Sequence, residues 1–156
     1  YKAVENKTIH RNFMGYSSQK TQLMVGLGMS SISDSWYGFA QNVKTVEEYQ
    51  KIVGQGRIPI FRGHLLTEED LVLRKHILNL MCHFKTSWTK KDQQTPMLFK
   101  GLAKMKELEK DGLIKIEDKQ LTVTEKGKVF IRNICMCLDA RMLRNKPTTA
   151  IFSQTI

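Results

Sequence analysis

Residues 10–19 read HRNFMGYSSQ, and residues 25–33 read VGLGMSSIS. The first stretch places a histidine, an arginine, an asparagine, two aromatics and a glycine within seven positions, His10 to Tyr16. Arg11 has the chemistry to grip a carboxylate through the paired donors of a guanidinium. The second stretch is a small apolar run spaced by Gly26 and Gly28 and ended by serines. Without side chains, the two glycines let a ligand or a neighbouring backbone come close. Ile32 then offers apolar surface and main-chain polar groups to a flat ring. Tight strand packing inside a barrel asks for the same residues, and spacing alone leaves both readings open.

Other site chemistries find less support. His10, His64, His76 and His83 show no HExxH spacing, and neither a nucleophile elbow nor a phosphate loop occurs. GLG at 26–28 lacks the third glycine of a dinucleotide fingerprint. His76 and His83, seven apart, fall on one face of a helix. Cys135 and Cys137 are two apart on a helix, where side chains do not face each other, and Cys82 is far away. They read as buried structural thiols rather than a metal or redox site.

Two unequal parts must position these residues. Residues 1–62 are rich in Gly, Ser and aromatics. They hold an expected buried strand at Leu23–Met29 and a short helix at Thr45–Val53, with Thr45 as N-cap and Glu47 and Glu48 in its first turn. GQG at 54–56 ends that helix, and Pro59 makes RIPIF extended. This part has too little apolar periodicity to fold alone.

Residues 63–156 are more regular. Thr67 and Asp70 form a capping box that opens a helix running to about Phe84, with Leu73, Ile77, Leu80, Met81 and Phe84 as its apolar stripe. A polar loop, KTSWTKKDQQT, leads to Pro96 and a second helix with the stripe Leu98, Leu102, Met105 and Leu108, closed by Gly112. LIKI and QLTV alternate around EDK as a hairpin. Thr124 caps one last long helix, EKGKVFIRNICMCLDARMLR. The tail after Pro147 has no strong pattern. The outline is winged-helix-like, and the fold class is α+β, mostly α.

The 25 Lys and Arg against 15 Asp and Glu leave a net charge of +10, which favours an anionic partner. The helix Leu98–Lys110 carries Lys100, Lys104, Lys106 and Lys110 but none of the Arg, Asn or Gln that read base edges, so nucleic acid is not the expected partner. No apolar run approaches the roughly 20 residues of a membrane span, and no membrane partner is expected. Three cysteines without a disulfide framework suit a cytoplasmic compartment. YKAVENKTIH has neither an initiator Met nor a signal-peptide region, so the chain is expected to be excised from something longer.

Taken in order, HRNFMGYSSQ, GLGMSSIS, FAQN at 39–42, FRG at 61–63, DGL at 111–113, TEKG at 124–127 and RNICMCLD at 132–139 closely resemble oxygen-independent coproporphyrinogen III oxidase, a radical S-adenosylmethionine (SAM) family of haem biosynthesis. The radical-SAM haem chaperones look like HNxxYW and GxGAHG at the first two places, and this chain carries neither. The resemblance implies that residues 1–62 are the trailing edge of a radical-SAM barrel and that 63–156 are a helical, winged C-terminal domain. It places Ile32 at a position that contacts SAM and Phe13 beside the cofactor and substrate space. Met14 stands where relatives often have Gln.

The reaction implied is oxidative decarboxylation of two propionates of coproporphyrinogen III to vinyls, giving protoporphyrinogen IX. It begins when a [4Fe–4S] cluster cleaves SAM and the 5′-deoxyadenosyl radical abstracts hydrogen. The family's CxxxCxxC motif belongs upstream, and the three cysteines here do not supply it. The chain is therefore expected to carry no metal ligand and no catalytic residue, and to be inactive alone as a C-terminal fragment. Its partners would be the rest of its own barrel and the tetracarboxylate substrate, for which Arg11, Arg62 and Arg132 offer cations. The longer parent would be a monomer, while a detached barrel edge would self-associate. A winged-helix DNA-binding protein and a haem chaperone relative using a free His remain the alternative readings.

Overall fold

Leu23 to Leu65 fold into a four-stranded antiparallel sheet that organises the first half of the chain. The structure is a computed structural model that describes residues 2–6 and 8–144. After a short helix α1 (Lys2–Glu5), strands β1 (His10–Asn12) and β2 (Gly15–Ser17) pair as a hairpin of their own. Strands β3 (Leu23–Met24), β4 (Ile32–Ser35), β5 (Gly38–Asn42) and β6 (Ile60–Leu65) then pair in sequence order. Helix α2 (Val46–Gly54) links β5 to β6, and the expected cap is present: Thr45 Oγ1 accepts from the Glu48 N–H at 3.4 Å. RIPIF is extended as Pro59 requires, and its end enters β6.

The strand expected over Leu23–Met29 is two residues long. Past Met24 the backbone leaves the sheet, with Gly28 at a φ of +93°, because its carbonyls bond a side chain instead of a neighbouring strand. The first compact unit runs to Leu71, past residue 62, since Arg62 lies inside β6 and pairs with Gln41. Among its described residues Val43 is the buried hydrophobic side chain, whereas Leu27, Ile58 and Leu65 are each about 80% exposed (80%, 79% and 82%). Strand ladders and polar bonds, not an apolar core, hold this unit.

The second unit, from Val72 onward, has the core. Helix α3 (Glu68–His83) opens on the Thr67–Asp70 capping box, with Thr67 N–H donating to Asp70 Oδ2 at 3.0 Å and Asp70 N–H to Thr67 Oγ1 at 3.2 Å. Thr67→Ala removes one of these acceptors and should cost about 1 kcal/mol, read as a lower urea midpoint at unchanged slope. Leu73, Leu80 and Met81 of the stripe are buried, and Ile77 and Phe84 pack against them. Phe84, at a φ of +56°, turns the chain out of the helix.

What reads as a polar loop contains strand β7 (Lys85–Ser87). It pairs with β9 (Gln120–Val123), which also pairs with β8 (Ile114–Glu117), giving the order β7-β9-β8. The hairpin around EDK forms, with Asp118 and Lys119 both at positive φ, the geometry of a two-residue primed turn. The second expected helix is two pieces, α4 (Pro96–Lys104) and α5 (Lys106–Lys110), broken at the fully buried Met105. Thr95 caps α4 through the Met97 N–H, with Pro96 in the first turn.

The last long helix is likewise a correction. It is a 3₁₀ turn (Lys126–Phe130), α6 (Ile131–Met136) and α7 (Ala140–Arg144). Asp139 starts the final piece, its Oδ1 accepting from the N–H groups of Arg141 and Met142 at 3.0 Å each, as an N-cap does. The tail after Pro147 lies outside the described residues. The class is α+β, with helices dominating from α3 onward.

Candidate functional site

Phe13 and Met14 form the two-residue turn between β1 and β2. Asn12 shapes it, its side-chain Oδ1 accepting from the Met14 N–H at 3.0 Å, and Gly15 closes it at a φ of +137°. The turn leaves Phe13 41% and Met14 75% exposed. The Met14 thioether has no hydrogen to donate, so a Gln-like contact has no counterpart there. Arg11 faces Tyr16 across the hairpin, its guanidinium carbon 4.7 Å from the ring centroid. A guanidinium stacked this way keeps in-plane N–H donors for an anion.

Ile32 opens β4, half-buried and paired with Gln41 of β5. It belongs to a different sheet from Arg11, Phe13 and Met14. The loop before it, residues 25–31, is fastened at several points. The buried Asn42 side chain donates through Nδ2 to the carbonyls of Gly26 (3.0 Å) and Gly28 (2.9 Å). Gly26 N–H donates to Ser33 Oγ at 3.0 Å, and Gly28 N–H to the Tyr49 hydroxyl on α2 at 3.0 Å. Ser30 N–H donates to the Val43 carbonyl, and Asn42 N–H to that of Ser31.

Both glycines are accounted for by this packing. A Cβ at Gly26 would lie 2.8 Å from the Ile32 carbonyl oxygen, closer than real Cβ atoms come, and Gly28 has positive φ. The close approach they allow is therefore made in the first instance by the chain's own backbone. Arg62 Nε donates to Gln41 Oε1 at 2.9 Å, and Gln41 Nε2 to the Ser30 carbonyl at 3.1 Å, so one of the three arginines considered for carboxylates is tied to the loop. Arg132 lies on α6, in the second unit. Sequence reasoning passed over Asn42 and Tyr49 as individual residues, although FAQN marked the segment.

In the second unit the buried histidine is bonded into the core. His76 is 2% exposed; its Nδ1 is 2.7 Å from Thr86 Oγ1 and its Nε2 2.8 Å from the Gln93 carbonyl. Burial lowers its pKa below 6.5, the Gln93 hydrogen bond opposes this, and Lys75 adds to the lowering. His83 is exposed, so the two do not make a ligand pair. Cys135 is buried and Cys137 half-buried, with burial raising the Cys137 thiol. Among the described residues no three His, Cys, Asp or Glu gather as a metal site, and no helix is long and apolar enough to cross a membrane.

No family model matches the chain. Curated proteins do. The oxygen-independent coproporphyrinogen III oxidases of Salmonella typhimurium and Escherichia coli K12 are 38% and 36% identical over 153 residues, 95% of this chain and 33% of each relative. That of Helicobacter pylori is 30% identical over 145 residues. The solved structure of Escherichia coli coproporphyrinogen III oxidase, described as a radical SAM enzyme, superposes at a TM-score of 0.79 with 34% identity, covering 89% of this chain and 33% of that one. The chain thus spans about a third of the length of the curated relatives it matches. In sequence and in fold the chain is similar to the oxygen-independent coproporphyrinogen III oxidases, and what it matches is their C-terminal portion.

Proposed function

We propose that the chain is the C-terminal third of an enzyme that oxidatively decarboxylates two propionates of coproporphyrinogen III to vinyls without oxygen. The carrying observation is the end-to-end relationship: one continuous match over 95% of the chain, with the same fold at a TM-score of 0.79. In this reading residues 1–62 are the trailing edge of a catalytic barrel. The bare sheet supports it, since its strands leave Leu23, Phe61 and Leu65 exposed, as strands do that would be covered by further barrel elements. Residues 63–156 are a helical, winged C-terminal domain, a reading supported by the order α3, β7, α4–α5, β8, β9 with β9 central in its sheet.

The cofactor fit is partial. Cys82 on α3 and Cys135 on α6 lie in a unit where no metal-holding group of three gathers among the described residues, so an iron–sulfur cluster does not fit this chain's own donors. SAM fits better, because Ile32 follows an anchored loop and presents a half-buried aliphatic edge. Bound SAM would supply the hydrogen-abstracting power for the propionates. The chain's own part is to position: Ile32 against the cofactor, Phe13 as apolar wall, Met14 as an apolar contact, and Arg11 as a cation for a tetracarboxylate substrate. The excess of basic over acidic residues serves the same substrate without nucleic acid.

The test is anaerobic. The full-length protein carrying this chain, purified with its cluster reconstituted, should convert coproporphyrinogen III to protoporphyrinogen IX in the presence of SAM and a reductant, while residues 1–156 alone should not. Haemin binding or SAM cleavage without loss of carbon dioxide from the porphyrinogen would refute the assignment.

A further inference from the structure

The anchored loop raises a question that the resemblance leaves open: what keeps the segment before Ile32 in place. An amide side chain with both hydrogens committed to two main-chain carbonyls, at 3.0 and 2.9 Å, suits only a donor-bearing NH₂ group. A carboxylate of the same shape would set negative charge against both oxygens. Asn42 is 6% exposed, so neither carbonyl is readily re-satisfied by water when that side chain is lost. Its own N–H holds the Ser31 carbonyl at 2.9 Å, next to Ile32.

The second fastening comes from elsewhere in the chain. Tyr49 on α2, twenty-one residues away, accepts from the Gly28 N–H through its hydroxyl. Gly26 laps so closely over the Ile32 carbonyl that a Cβ has no room there. A shift of Gly26 or Gly28 is therefore passed directly to the main chain of Ile32. β5 and β6 shift register between Gln41, paired with Arg62, and Asn42, paired with Ile60, so the irregularity falls beside the residue whose side chain serves the loop.

We propose that Asn42, seconded by Tyr49, is a positioning residue for cofactor binding: it locks residues 26–31 in the shape that presents Ile32 to the nucleoside of SAM. This rests on the function proposed above, and it adds that affinity for the cofactor is set in part by two residues that do not touch it. A mislaid contact costs binding more than chemistry, so the effect should fall on KM for SAM rather than on kcat.

The experiment uses the full-length holoenzyme with Asn42→Asp and Tyr49→Phe. Amide hydrogen exchange of the peptide spanning residues 25–32, measured without SAM, should quicken about tenfold in both variants. The SAM dissociation constant should rise about tenfold in Asn42→Asp and about threefold in Tyr49→Phe, with KM for coproporphyrinogen and kcat at saturating SAM retained. Tyr49→Phe deletes one hydroxyl, so it decides the matter even where the Asn42 variant fails to fold. Unchanged exchange removes the lock, and quickened exchange with unaltered SAM affinity removes its link to the cofactor. A parent that binds no SAM at all defeats the functional reading itself, and the positioning role with it, while the exchange data still report whether the lock exists.

Discussion

Gly127→Ala will destabilise the second unit by about 3–5 kcal/mol, the largest effect expected of any single methyl in this chain. A Cβ at Gly127 would collide with the carbonyl oxygen of Leu113, and would also lie 2.8 Å from its carbon and 3.0 Å from Val123 Cγ1. The obstacle is backbone rather than the end of a flexible side chain, so relief requires β8 to move away from the 3₁₀ turn. That carbonyl is also the acceptor for Thr124 N–H at 3.0 Å and for Thr124 Oγ1 at 3.1 Å, while Thr124 Oγ1 accepts from Gly127 N–H at 3.1 Å. A methyl therefore separates groups that a compact set of bonds holds together, next to the buried Leu113, Ile114 and Val123. Small domains hold about 5–15 kcal/mol in total, so the loss is a large share. Gly54→Ala is the control: nothing lies within 4 Å of its Cβ, it ends α2, and it should be neutral or slightly stabilising. Equal urea midpoints for the two variants would contradict the collision.

Which parts of this were legible in the sequence follows from how local each determinant is. The caps at Thr45 and at Thr67 with Asp70, and Pro96 in a first turn, act over two to three residues, and each helix start appears where those residues stand. Strand β7 is three residues of KTS with no alternation to read, and it exists because β9 accepts it as a neighbour. GLGM follows the same logic in reverse. Its apolar run suggests a buried strand, yet Asn42, sixteen residues beyond Gly26, takes its carbonyls out of any ladder. Ile32 and Phe13 came forward as candidates through the resemblance, and Arg11 through the chemistry of its guanidinium. What fastens the loop before Ile32 was hidden, since a hydrogen bond from Asn42 or Tyr49 leaves no mark at short range. The break before Ala140 had a readable signal in Asp139, which the apolar pattern of the helix overrode.

His76 carries the second large effect, and its sign depends on pH. His76→Leu should cost about 2–3 kcal/mol at pH 8, because it strips the Gln93 carbonyl and the Thr86 hydroxyl of their partner inside the core. Its neighbours fix the neutral ring. The Gln93 carbonyl can only accept, so Nε2 carries the hydrogen and Nδ1 accepts from Thr86 Oγ1, which itself accepts from Asn79 Nδ2 at 3.3 Å. Burial, reinforced by Lys75, holds the pKa below the ordinary 6.5 against the opposing pull of Gln93. The unfolded chain therefore binds a proton more readily than the folded one, and acid favours unfolding. The stabilisation due to His76 is complete above about pH 6.5 and declines as pH falls toward the folded-state pKa. Urea melts of the unsubstituted chain and of His76→Leu should thus lie furthest apart at pH 8 and draw together below pH 6.5. A gap that stays constant from pH 8 to pH 5 would mean that the folded ring takes up its proton as easily as the unfolded one. A chain of four hydrogen-bonding groups joining α3, β7 and the turn at Gln93 would then be free to rearrange around an imidazolium, which burial and the doubly engaged Thr86 hydroxyl at Nδ1 oppose.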